Sequence, residues 1–283
     1  MKNKTIKTAR LPKSFHKTFK PERQYINAML RFAASGGEGD YQDIAASTGI
    51  PTGVSSGKVP ATLDYCLGMG LLTLSASKPS SIKKPQLTPF GRVVLLEDPF
   101  LKTPITQWIC HFNLCGGMHG ADVWYQSFFT AAPALGMAFS KADLESYLGN
   151  LYGASRSNFS GPLVGMYDDD ASFKICSAIS EVGGQLVRRP APIVEEMGFA
   201  YGAWILQLIR EWFPKSNQVS VTDLDAVAGW RTIPGWDVTS LQRVLELVAR
   251  KGLIEVDRHM EPWLIIPKAS ADNAWRKIFD DMI

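Results

Sequence analysis

Apolar residues recur every three or four positions through much of this 283-residue chain, and Gly, Pro and Ser interrupt them. Such a period predicts helices that each bury one stripe. Ile26, Met29, Leu30 and Ala33 share one face of a first helix, which Pro21 opens with Glu22 in its first turn and Gly36-Gly37 stops. Asp43, Ile44, Ala45 and Ala46 predict a short second helix ended by a C-cap Gly49. From Val59 to Leu72, Leu63, Leu67 and Leu71 recur every four residues with Tyr65, Cys66 and Met69 beside them, predicting a third. Two short strand-like pieces flank a Lys/Pro/Ser-rich stretch, Lys78 to Pro85, and Leu87 to Arg92 close the segment. A support helix, a Gly/Pro turn, a recognition helix and a basic wing make a winged helix-turn-helix.

Past Pro104 the pattern turns aromatic. Ile105 to Cys115 carries Trp108, Ile109, His111 and Phe112; Gly116 to Gly120 break it, and Ala121 to Phe129 resume it. Ser140, with Asp143 three residues on, starts a helix in the manner of a capping box, which continues through Leu144, Tyr147, Leu148 and Leu151. Arg188-Arg189-Pro190-Ala191-Pro192 reads as a loop or linker. Ile193 to Phe213 forms a long apolar helix whose stripe is either core or the face of a homodimer. The last third repeats the first: Ser220 caps a helix to Ala228, Gly229 to Trp236 turn, Asp237 caps a helix through Leu241 and Val248, and Leu253–Val256 pairs with Trp263–Ile266. Ala274 to Ile283 reads as a short terminal helix. The expected fold class is mainly α with small β wings: a basic arm over 1–20, a winged helix-turn-helix over 21–103, a helical middle domain over 104–214 and a winged-helix-like domain over 215–283.

Composition narrows the function classes. With 46% hydrophobic and 20% charged residues the chain can bury ample core. No apolar run approaches the roughly 20 residues of a membrane span, and Met1 to Lys20 lacks a secretory apolar segment. Four scattered cysteines suit buried, reduced thiols in a cytoplasmic protein. The net charge of +3 conceals an asymmetry: residues 1–92 hold fourteen Lys/Arg against five Asp/Glu, whereas the remainder holds sixteen against twenty-two. A basic surface is rewarded by phosphate neutralisation and counterion release, so this third points to double-stranded DNA.

Candidate chemistry falls at four places. Ser55, Ser56 and Lys58 precede the third helix, where free backbone N–H groups and the positive dipole end favour a phosphate; ordinary turn chemistry explains the same residues. Lys83 and Lys84 arm the wing for a DNA backbone or minor groove. His111 and His119 suit acid–base work or metal ligation, although a buried structural histidine accounts for them better. Asp168, Asp169 and Asp170 put three carboxylates in one turn, which suits Mg²⁺ and metal-assisted phosphodiester cleavage; an acidic N-cap and first turn of a following helix is the alternative.

Phe19-Lys20-Pro21-Glu22-Arg23, the run Asp43 to Gly53, Ser55 to Lys58, Asp64-Tyr65 with Met69-Gly70-Leu71, Leu87 to Gly91, Glu97-Asp98, and Trp108 with His111 together resemble the SspB-like family. The resemblance implies the nicking component of a DNA phosphorothioate modification and anti-phage defence system. Such a protein is a Mg²⁺-dependent nickase acting with other proteins of the sulfur-modification pathway. No HNH, PD-(D/E)xK or tyrosine-recombinase signature stands in the chain, so the resemblance assigns no catalytic residue. A non-catalytic DNA-binding adaptor or transcriptional regulator is the competing class.

Overall fold

A computed structural model describes residues 9–53, 57–75, 81–153 and 158–282. Helices α1 (Arg23–Ala34), α2 (Tyr41–Thr48) and α3 (Lys58–Gly68) lead into the antiparallel strands β1 (Leu72–Leu74) and β2 (Pro85–Leu87). Asp40 caps α2 by accepting from the Gln42 and Asp43 N–H groups, and Gly49 ends it at φ 69°. Pro21 lies one residue outside α1, because Glu22, not Pro21, takes the extended N-cap position. Leu71 and Leu72 leave α3 for β1 after Gly70 turns the chain at φ 70°.

One helix escapes the apolar-period reading. Thr88 accepts a hydrogen bond from the Gly91 N–H at 2.8 Å, with Pro89 in the first turn, and starts α4 (Pro89–Glu97). The aromatic middle begins with α5 (Pro104–Leu114) and α6 (Asp122–Tyr125), which runs into a π-helical turn, Gln126–Thr130. Next come α7 (Ala132–Leu135), strand β3 (Ala138–Phe139), α8 (Lys141–Tyr152) and α9 (Ser160–Asp168). The Ser140/Asp143 capping box opens α8. Strands β4 (Ile179–Val182) and β5 (Gln185–Arg188) form a hairpin around Gly183-Gly184, and the sheet order is β3-β5-β4. Arg188, expected in a linker, is therefore a strand residue. Its backbone N–H bonds the Met137 carbonyl, and its guanidinium donates to the Ser127 and Gly136 carbonyls.

The long helix is α10 (Gly198–Trp212), entered through a 3-10 turn. Strand β6 (Val219–Ser220), α11 (Val221–Ala228), α12 (Val238–Arg250), β7 (Ile254–Asp257), β8 (Leu264–Pro267) and α13 (Ala271–Trp275) complete the chain. The third sheet has the order β6-β8-β7. The fold is thus mainly helical with three small antiparallel sheets. Its apolar core is one continuous cluster running from Phe15 to Ile278. Tyr201, Trp204, Ile205 and Leu208 of α10 are all inside, so the core accounts for the long apolar stripe. No described helix is long and apolar enough to cross a membrane.

Gly91 of α4 packs against the backbone just before β1: a Cβ at this position would run into the Leu71 carbonyl oxygen. Backbone cannot yield as a flexible side chain does. Gly91→Ala is expected to cost about 1–3 kcal/mol, the range of an overpacked core, read as a lower urea midpoint with an unchanged m-value.

Candidate functional site

The three-carboxylate turn follows α9 instead of leading a helix. Asp168 is the last residue of α9 and is exposed, and residues 170–176 are turns. Asp169 receives Lys20 Nζ at 2.6 Å and the Ala171 N–H at 2.9 Å. Those partners hold its carboxyl below the usual range, the Lys20 hydrogen bond most of all. Asp170 meets Lys174 Nζ at 3.1 Å, while its backbone carbonyl receives Arg23 at 2.6 Å. Two further bonds bind the same turn to the segment before α1: Ser172 Oγ to the Pro21 carbonyl at 2.7 Å, and the Arg23 N–H to the Ala171 carbonyl at 2.9 Å. The turn therefore clasps residues 20–23. Mg²⁺ wants convergent oxygens that no ammonium already neutralises, and this donor set does not fit it. Among the described residues, no group of three or more His, Cys, Asp or Glu is placed to hold a metal ion.

The described part of the basic arm, residues 9–20, is anchored on the body of the protein. Arg10 pairs with Asp122 at 2.8 Å and its guanidinium stacks on Tyr125 at 4.2 Å, while Phe15 is buried against Tyr65 and Trp124. Ser55 and Ser56 lie outside the described residues. Lys58, in the first turn of α3, pairs with Glu22 at 2.5 Å and lies 4.8 Å from the Tyr25 ring centre, facing α1. Lys84 pairs with Glu38 at 2.7 Å in a solvent-exposed contact. Lys83 exchanges backbone hydrogen bonds with Gly39 on the strand entering β2, with its ammonium 5.8 Å from the Tyr41 ring centre.

Burial separates the two end units. Eight of the eleven residues of α3 are buried, leaving little helix surface for a groove. Asp64 of the same helix is half-buried, and burial pushes its carboxyl up to about 6 against the opposing influence of Lys17 and Lys83. By contrast, α12 buries Val244, Leu245, Leu247 and Val248 and presents Thr239, Gln242, Arg243 and Glu246 to solvent. A four-residue leucine period marks a buried stripe, but it does not tell whether the opposite face is covered as well.

His111 and His119 part company. His111 is fully buried, with Nδ1 2.7 Å from the Tyr167 hydroxyl, which also receives the Trp124 indole N–H at 3.2 Å. Burial pushes its imidazole down to about 3, so the ring is neutral. His119 is exposed on the loop after α5 and lines a cleft of about 710 Å³ between the β1–β2 hairpin, that loop and α10. Glu211 stands in the same cleft, held by Gln207 Nε2 at 2.9 Å; Gln207 Oε1 in turn receives the Trp275 indole N–H at 3.0 Å. Sequence reasoning missed Glu211; the one signal available was a lone carboxylate near the end of an otherwise apolar helix.

The geometry defines a helical protein with a helix–hairpin unit at each end and an aromatic middle. Within that class the fold is SspB-like. A magnesium ion-bound SspB crystal structure matches at a TM-score of 0.68 with 15% identity, and a second SspB crystal structure at 0.67 with 16%. Each match covers 95% of this chain and 87% of the other. No protein-family model and no curated protein matches the chain.

Two predictions concern the groups just described. Lys20→Ala should loosen the clasp by the roughly 0.2–1 kcal/mol of an exposed ion pair, with faster amide hydrogen exchange at residues 20–23 and 171–173. For His111 the sign follows from its depressed value. The unfolded imidazole takes a proton below about 6.5, while the folded one stays neutral down to about 3. Stability is therefore lost as pH falls between those values. In urea titrations from pH 7 to 4, His111→Gln should show a shallower acid loss than the parent; equal slopes would place the titration elsewhere.

Proposed function

We propose that this chain binds duplex DNA and cuts one strand, as the nicking component of a DNA phosphorothioate modification and defence system in the cytoplasm. The observation that carries the reading is the SspB-like fold, shared over 95% of the chain. The charge asymmetry of the sequence supports it, as does the helix–hairpin unit at each end, an arrangement of the winged-helix kind. Double-stranded DNA is the partner that cationic wings suit, and the other proteins of the sulfur-modification pathway are the expected company.

In this reading Lys83 and Lys84 contact phosphates, where they release counterions and position the duplex without reading it. Ser55 and Ser56 belong to the same proposed contact. Lys58 joins it only if its Glu22 partner lets go, because the pair is half-buried and desolvated on one side. Groove contact falls to α12, whose solvent face carries a hydroxyl, an amide and a guanidinium suited to base edges or phosphates. Magnesium enters through the bound ion of the SspB structure. Asp168 to Asp170 are not assigned to it, since Asp169 pairs with Lys20 and Asp170 with Lys174. A second reading, a DNA-binding adaptor that does not cut, is favoured by that same engagement of the acidic turn with the protein's own lysines.

Supercoiled plasmid distinguishes the two. With Mg²⁺ the nickase yields open circles that disappear with chelator, whereas an adaptor shifts the plasmid's mobility and leaves it closed. Lys83→Ala with Lys84→Ala should weaken duplex affinity and flatten the dependence of log K on log salt by about one to two in slope. Arg243→Glu should likewise weaken binding. Unchanged affinity in both variants would remove these surfaces from the interface.

A further inference from the structure

The cleft that holds Glu211 belongs to none of the DNA contacts proposed above. Its carboxylate is half-buried and receives one hydrogen bond, from Gln207. Among the described residues no cation lies within ion-pairing distance of it. Its neighbour Arg210, which also lines the cleft, is paired with Asp272 at 2.8 Å, and both Arg210 and His119 act on Glu211 only through space. A carboxylate withdrawn from water without a counter-charge is costly unless a ligand supplies one.

The rest of the lining indicates what that ligand carries. Leu67, Leu74 and Leu208 give it apolar wall, and the half-buried Trp212 gives it an aromatic one. Methylene stems pack on such surface while their charged heads reach a polar end, and a guanidinium or ammonium over an indole gains further. A cleft of about 710 Å³ lies in the range that holds a drug-sized ligand or a few residues of peptide. That is well beyond one side chain. Phosphates, which the wing cations suit, are repelled by Glu211.

We infer that this cleft takes an arginine or lysine side chain from a short segment of a partner protein, with Glu211 as its counter-charge and Trp212 on its wall. The triad Trp275–Gln207–Glu211 fixes the acceptor: one indole N–H holds the amide oxygen, and the amide nitrogen holds one carboxylate oxygen. Burial pushes the Glu211 carboxyl up, opposed by the Gln207 hydrogen bond and by the charges of His119 and Arg210. An incoming cation favours the ionised form, so binding weakens as pH falls and the carboxyl takes up its proton.

The test titrates the full chain with three probes, N-acetyl-Leu-Arg-Leu-amide, the same tripeptide with neutral citrulline in place of arginine, and N-acetyl-arginine-amide, followed by tryptophan fluorescence and calorimetry. The arginine tripeptide should bind at least tenfold more tightly than the citrulline one, and its affinity should rise with pH. Glu211→Gln, nearly isosteric and checked for folding by circular dichroism, should lose that tenfold preference while keeping its affinity for duplex DNA, which separates this inference from the DNA reading. Equal binding of arginine and citrulline tripeptides, or an unchanged preference in Glu211→Gln, would overturn it. So would free N-acetyl-arginine-amide binding as tightly as the tripeptide, since the source would then be a small cationic molecule. A single-stranded oligonucleotide displacing the tripeptide would overturn it in favour of a base.

Discussion

The fold depends on covering α10 on all sides. Ten of its fifteen residues are buried, among them Tyr201, Trp204, Ile205 and Ile209, so no single partner suffices. Trp204 packs on Phe112 of α5 with ring centres 4.6 Å apart, and Tyr201 meets Trp236, just before α12, at 4.9 Å. Gly202 lets Val248 and Leu253 close in, where any side chain would collide with them. On the remaining side α13 lies along α10 and delivers Trp275 to Phe90 of α4 at 4.9 Å. The two end units are thereby joined through one helix, and their surfaces cannot shift independently without opening apolar core.

That joining changes the meaning of the charge asymmetry. A basic first third and an acidic remainder are not two separate faces here, because Arg10 reaches Asp122 and Lys20 reaches Asp169 across the molecule. These pairs are part-exposed and individually weak. Their consequence is directional: Arg10 and Lys20 dock onto their own chain, with Phe15 as the buried anchor. Outward-facing positive charge among the described residues includes Lys17, Arg31 and Arg92. The acidic turn shows the same logic from the other side, since its carboxylates and carbonyls receive the cations and N–H groups of residues 20–23.

Local patterns determined much of the architecture. The stripe Ile26/Met29/Leu30/Ala33, the Ser140/Asp143 box, the Gly49 cap and the Ser220 and Asp237 N-caps all read correctly, because each rests on contacts within a turn or two of helix. The resemblance carried by the residues from Phe19 to His111 agrees with an SspB-like fold for the whole chain. What periodicity passed over were α4 and the β4–β5 hairpin. Their signals were Thr88-Pro89 and Gly183-Gly184, turn chemistry without a long apolar repeat.

Tertiary structure alone decided the partners. A leucine period shows that one face of a helix is buried but cannot show how many neighbours surround it, so α3 and α12 looked alike in sequence and differ in exposure. Three adjacent aspartates look like a metal turn until Lys20 and Lys174 arrive from 149 and 4 residues away. Glu211 carried no motif at all; the cleft around it is assembled from segments more than a hundred residues apart. Short-range hydrogen bonding is written in neighbouring residues, whereas burial and counter-charge are properties of space, which the chain acquires only on folding.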